Sequence, residues 1–138
     1  MFRLQIKYLS FFFILVSILS FFNIIYSYYL NLYLNLDTYY LSFFVSLIIS
    51  ILFYKLKLPD KKISIFDKIL TVFFGYILIP LVLSIPFYFS IYNLTFLNSF
   101  FEAISGFTST GFTIFDNIKR IDQSLILWRS STQWIGGL

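Results

Sequence analysis

Residues 105–112 read Ser-Gly-Phe-Thr-Ser-Thr-Gly-Phe, a run of glycines and hydroxyls in a chain otherwise rich in Phe, Leu, Ile and Tyr. Main-chain carbonyls aimed at a path can replace the hydration shell of a small cation. Glycine suits such a run because it reaches backbone angles that other residues avoid. The Ser and Thr hydroxyls can add oxygen ligands or tie the run to its support. An all-oxygen donor set suits a hard cation, so the chemistry here is that of an alkali ion. The plainer reading is a surface loop built from turn formers. Two charged residues flank the run within apolar segments, Glu102 before it and Arg129 after the polar turn that follows it. There is no His and no Cys. The commonest general base, the commonest transition-metal ligand and thiolate chemistry are therefore missing. A hydrolytic triad or a zinc centre is not expected, and the chain does not read as an enzyme. No cofactor is called for; an alkali ion would be the cargo.

The surroundings decide between these readings. Of 138 residues, 59% are hydrophobic and 12% are charged. Soluble domains carry about 25% charged residues, and the mean hydropathy is +0.87, so lipid is the expected solvent. The net charge is +4. Its basic residues flank apolar segments, which suits membrane orientation, and no basic patch with interleaved aromatics points to nucleic acid.

Three apolar segments are expected to cross a hydrocarbon core of about 30 Å as helices: Leu9 to Leu30, Tyr39 to Tyr54, which is slightly short unless Leu56 and Leu58 extend it, and Ile69 to Phe89. A signal peptide competes for the first, but the polar residues after it (Asn31, Tyr33, Asn35) offer no small-residue cleavage site. Pro59 separates the second from the third, and Pro80 and Pro86 are expected to kink the third. Asn23 is expected to bond between helices. Lys55, Lys57, Lys61, Lys62 and Lys68 cluster after the second segment, and Arg3 and Lys7 precede the first. The positive-inside tendency then places the N-terminus in the cytoplasm and the chain after residue 92 outside.

From about Thr95 a half-length helix is expected. Phe96, Phe100, Ala103 and Phe107 share one face, and Asn98, Glu102, Ser105 and Ser109 another. A helix this short, ending in a Gly/Thr run, reads as a re-entrant segment. Asp116, Lys119, Arg120 and Asp122 mark an outer turn, and a fourth apolar segment starts near Leu125. Its 14 residues span about 21 Å at 1.5 Å per residue, short of a crossing, so the chain is expected to be part of a longer protein. Glu102 either sets the field near the path or is a structural carboxylate. Arg129 either pairs with Glu102 or Asp122 or reaches the outer headgroups. Trp128 and Trp134 read as interface anchors. Gly136 and Gly137 either allow close helix contact or form a flexible break.

The order helix, half-helix, "EAISGFTSTG", turn, "LWRSSTQWIGGL" resembles the first membrane–pore–membrane unit of the Trk/Ktr/HKT superfamily of potassium transporters, and the TrkH type in particular. The resemblance is specific from about residue 98 to 138. It implies an all-α membrane protein with three transmembrane helices, a re-entrant pore helix with a filter strand, and an incomplete fourth helix. Residues 1–64 would hold two extra helices and a basic cytoplasmic loop, and residues 65–138 the first unit. The resemblance makes Thr108, Ser109, Thr110, Gly111 and Phe112 the filter. Potassium would lie on the carbonyls of Ser109, Thr110 and Gly111, with Glu102, Ser105, Gly106 and Arg129 in support. Gly111 favours potassium over sodium, since a serine there accompanies sodium transport in plant relatives. A homodimer in the cell membrane and a cytosolic nucleotide-binding regulatory subunit are implied by the resemblance alone. Sodium as ion or co-ion, and a non-conducting membrane scaffold, are the competing functions.

Overall fold

The computed structural model describes residues 6–56 and 64–137. Of the basic residues read as cytoplasmic, Arg3, Lys57, Lys61 and Lys62 lie outside this range, as do Leu58, Pro59 and Leu138. The elements are α1 (Ile6–Tyr29), α2 (Leu36–Lys55), α3 (Ile65–Leu83), a single turn α4 (Ile85–Tyr88), α5 (Phe96–Phe107), a 3₁₀ turn (Ile118–Arg120) and α6 (Gln123–Gly136). No strand occurs among the described residues. Three stretches are long and apolar enough to cross a membrane: Ile6–Tyr29, Leu36–Lys55, and Ile65–Tyr88, in which α3 and α4 run nearly end to end.

α1 and α2 form an antiparallel hairpin. α1 stops because Asn31 takes the left-handed conformation (φ 56°), which lets Leu32 N–H reach Ser27 O at 2.8 Å and Asn31 N–H reach Tyr28 O at 3.3 Å. The helix pair is apolar outside, and inside it sets a line of hydroxyls among Phe13, Val16, Ile24 and Tyr39. Ser10, Ser17, Ser20 and Ser27 of α1 and Thr38, Ser42, Ser46 and Ser50 of α2 are buried, while Phe11, Ile18, Phe22, Phe44, Ile48 and Leu52 are exposed. Lipid offers no hydrophobic reward for hiding Phe or Leu, so close backbone approach and hydroxyl bonds hold the pair instead. Ser10 and Ser50 show this directly: each hydroxyl lies 2.9 Å from the other's carbonyl oxygen. Asn23 does not bond between helices. Its Nδ2 donates to Leu19 O in its own helix at 3.0 Å.

α3 opens on a reciprocal cap, Ser64 with Asp67. It runs through Pro80 and breaks at Ser84, where the Ser84 N–H bonds Pro80 O at 2.8 Å. Pro86 stands in the first turn of α4, where a missing N–H costs little. The helix is therefore interrupted at residue 84, not at Pro80. Trp128 Nε1 donates to Leu83 O at 3.0 Å beside this interruption. Trp128 is fully buried, packed on Tyr39 with ring centroids 5.9 Å apart. It is a core residue rather than an interface anchor, whereas Trp134 is exposed.

Candidate functional site

α5 begins at Thr95, whose Oγ1 accepts the Asn98 N–H at 3.3 Å. Its inward face is the small and polar one. Ser99, Glu102, Ala103, Ser105, Gly106 and Phe107 are buried, and Phe96 and Leu97 are exposed. Of the two faces expected from spacing, Phe96 and Asn98 both turn out to be exposed. The helix enters and the chain leaves at one end of the bundle. Tyr92 stacks edge-on to Phe115 (6.0 Å) and its hydroxyl accepts the Asp122 N–H at 2.7 Å. Phe107, at the far end of α5, lies against Tyr76 of α3 (5.3 Å).

Small residues set how closely α5 meets α6. A Cβ on Gly106 would lie 3.0 Å from Thr132 Cβ and closer still to Thr132 Oγ1. A Cβ on Gly136 would lie 2.5 Å from the carbonyl carbon of Phe107 and closer still to its oxygen. Gly137 meets nothing nearer than 3.6 Å. Close contact is thus the role of Gly136, and Gly137 only follows it.

The run 108–112 is the end of α5 and the irregular chain that leaves it. Ser109 is left-handed (φ 57°). Its N–H bonds Gly106 O at 2.8 Å, and the Thr110 N–H bonds Ser105 O at 3.1 Å, the bond pair of a left-handed helix cap. Gly111 has φ 78°, where a side chain is strained. Its absent Cβ would have room, 3.7 Å from Gln133 Nε2. Glycine is needed there for backbone angle, not for space. The hydroxyls tie the run to its support. Thr108 Oγ1 donates to Ile104 O (2.8 Å), Thr110 Oγ1 to Ser105 O (3.1 Å), Ser105 Oγ to Phe112 O (2.7 Å) and Ser109 Oγ to Gln133 O (3.3 Å). All five residues are exposed on this chain. Among the described residues, no donor meets the carbonyl oxygens of Thr108, Ser109 or Thr110.

Glu102 and Arg129 form one unit with this run. Glu102 is fully buried, and its Oε2 lies 3.0 Å from Arg129 Nε. Its Oε1 accepts from Thr113 Oγ1 and Ile114 N, each at 2.6 Å. The Arg129 Nη2 donates to Gly111 O at 2.9 Å and Phe112 O at 3.1 Å. Of the partners open to Arg129, the structure selects Glu102. Asp122 instead accepts from Asn35 Nδ2 (3.2 Å) and Ser124 Oγ, and Tyr39 OH meets Ser124 Oγ at 2.9 Å. This second network joins the start of α2 to the start of α6.

Sequence reasoning brought Glu102, Ser105, Gly106, Arg129 and 108–112 to one place. It missed Thr113 and the Ile114 N–H, which the carboxylate grips, and Thr132, which faces Gly106. A signal for Thr132 existed: it lies three residues after Arg129 and four before Gly136, on one helical face.

No family model matches the chain. Over 110 residues it is 27% identical to an uncharacterized cation transporter of Methanocaldococcus jannaschii, covering 78% of this chain and 23% of that protein. It is 40% identical over 60 residues to the Trk system potassium uptake protein TrkI of Halomonas elongata, covering 44% of this chain and 11% of TrkI. It is 41% identical over 46 residues to TrkG of Escherichia coli, covering 33% and 10%. The chain thus spans between 10% and 23% of the length of these relatives. With three membrane-length helices and these matches, the chain is similar to membrane transporters of the Trk type.

Proposed function

We propose that residues 65–138 act as a membrane–pore–membrane unit for potassium uptake, in which the ion sheds water against main-chain oxygens of the 108–112 run. The observation that carries this reading is the row of three carbonyls, at Thr108, Ser109 and Thr110, that meet no donor among the described residues. They sit on an exposed run whose hydroxyls are turned to its own support. Free carbonyls in lipid cost several kcal/mol each unless they line a wet path. α5 acts as a re-entrant helix, which is supported by Tyr92 and Phe115 meeting at one end while Phe107 reaches Tyr76. One such run makes one wall. A filter takes walls from several sides, so further units complete the path.

The chain sits in the cell membrane with its N-terminus inside. Lys7, Lys55 and Lys68 support this, since all three lie at the helix ends where Ser10 meets Ser50 and Gly75 meets Leu9. The run 108–112 then opens outward. By family likeness the assembled transporter is a homodimer with a cytosolic nucleotide-binding subunit.

The test is cysteine scanning from 100 to 113 in potassium-uptake-deficient cells. Protection by potassium that deepens toward Thr108 is expected. Uniform labelling indifferent to potassium would indicate a scaffold with an ordinary loop. Protection by sodium alone would replace potassium as the cargo. Gly111→Ser, measured alongside, is expected to lower potassium-limited growth through its strained φ.

A further inference from the structure

The Arg129 guanidinium does at Gly111 and Phe112 what a dehydrated alkali ion would do. It is a positive group resting on two successive main-chain oxygens, at 2.9 and 3.1 Å. It cannot lose its charge, and its planar fork can serve a carboxylate and carbonyls together. It is also tethered: Arg129 Nε lies 3.0 Å from Glu102, which is fully buried and whose other oxygen is taken by Thr113 and Ile114. Withdrawing the guanidinium would leave a buried carboxylate without its counter-charge, which is strongly unfavourable. Immediately before it, the oxygens of Thr108, Ser109 and Thr110 meet no donor among the described residues. The run is therefore divided into an occupied half and an open half.

We propose that Arg129 is a built-in cation that takes the Gly111–Phe112 end of the run out of ion coordination, leaving the transported ion to the oxygens of Thr108, Ser109 and Thr110. This rests on the cation-path reading above and moves the expected ligand set by one residue, from 109–111 to 108–110. Arg129 is here a positioning residue. It sets where an ion stops and keeps a second one from the mouth of this wall by like charge.

Thallium, a heavy stand-in for potassium, tests the proposal in a structure of the intact transporter. Its anomalous signal is expected against the Thr108–Thr110 oxygens and not against those of Gly111 or Phe112. A peak bonded to Gly111 O overturns the inference while keeping the cation path. No thallium anywhere along 108–112 overturns the path itself, and the inference with it. The double variant Glu102→Gln/Arg129→Gln removes both charges together. It is expected to gain a thallium peak at Gly111–Phe112 and to lower the potassium KM about threefold or more, as a freed site binds cations more tightly. An unchanged peak pattern and KM in the folded variant overturn the proposal. Arg129→Lys keeps a cation near the same oxygens and is expected to stay without the extra peak. Its appearance there also overturns the proposal, and this variant serves if the double one fails to insert.

Discussion

Gly136→Ala is the sharpest probe of how α5 and α6 meet. The added methyl carbon would stand 2.5 Å from the Phe107 carbonyl carbon and 2.9 Å from its Cα. Ordinary carbon contacts lie at about 3.5–4.0 Å, so about 1 Å of separation has to be found. The obstacle is backbone, not the tip of a flexible side chain, so no rotamer change can supply it. Overpacking of a fitted contact costs about 1–3 kcal/mol, and a backbone neighbour puts this case at the upper end. Alanine returns up to about 1 kcal/mol through helix propensity, leaving a net loss of about 2 kcal/mol. Gly137→Ala is the control. Its methyl would meet only Gln133 O and Trp134 O at 3.6 Å, and its φ of −84° suits alanine. It is expected to be neutral or to stabilise by a few tenths of a kcal/mol. Each protein is heated in detergent and the monodisperse fraction followed by size-exclusion chromatography. At about 3–6 °C per kcal/mol for a chain of this size, Gly136→Ala should lose about 6–12 °C and Gly137→Ala should not fall. Equal losses at both positions, or none at Gly136, would refute the close-contact account and favour a flexible break.

Glu102→Ala is expected to destabilise by about 3–5 kcal/mol, because it leaves the largely buried Arg129 without its counter-charge. Glu102→Gln should lose less, since it keeps an acceptor for Thr113 and Ile114; the same heating assay ranks the two. Ser109→Gly is expected to stabilise by about 0.5–1 kcal/mol, because Ser109 holds φ 57° at a helix end where glycine is unstrained; a fall in thermal stability would contradict it. Trp128→Phe removes the bond to Leu83 O and should cost about 1–3 kcal/mol, against no effect if Trp128 were only an interface anchor. Ser50→Ala breaks the reciprocal pair with Ser10 and should cost about 1 kcal/mol, read as a lowered midpoint in the same series.

The lesson for sequence reading lies in particular positions. The helices at 6–29, 36–55 and 65–88 were legible because lipid demands long apolar runs, and composition reports that directly. A half-length helix from about Thr95 was legible from the spacing of its residues; the Thr95 cap was not read. The inward face of α5 was only half legible. Spacing separates two faces, but in lipid it does not say which one is buried, and Ser99 and Glu102 went in while Leu97 stayed out. The serines at 42, 46 and 50 carried a four-residue period that marks a helix contact, and it passed unread among larger residues.

From sequence alone came the solvent, the number of membrane-length helices, the likeness to Trk transporters and the residues gathered around 102–112 and 129. Those follow from composition, length and local spacing, which are properties of the chain taken a few turns at a time. Tertiary structure alone decided that Arg129 chooses Glu102 over Asp122, that Gly136 rather than Gly137 touches backbone, and that the Gly111 carbonyl is taken while three before it meet no donor among the described residues. Each of these depends on the depth and rotation of α6 against the end of α5, a relation between residues from 18 apart upward in sequence, and no local pattern encodes it.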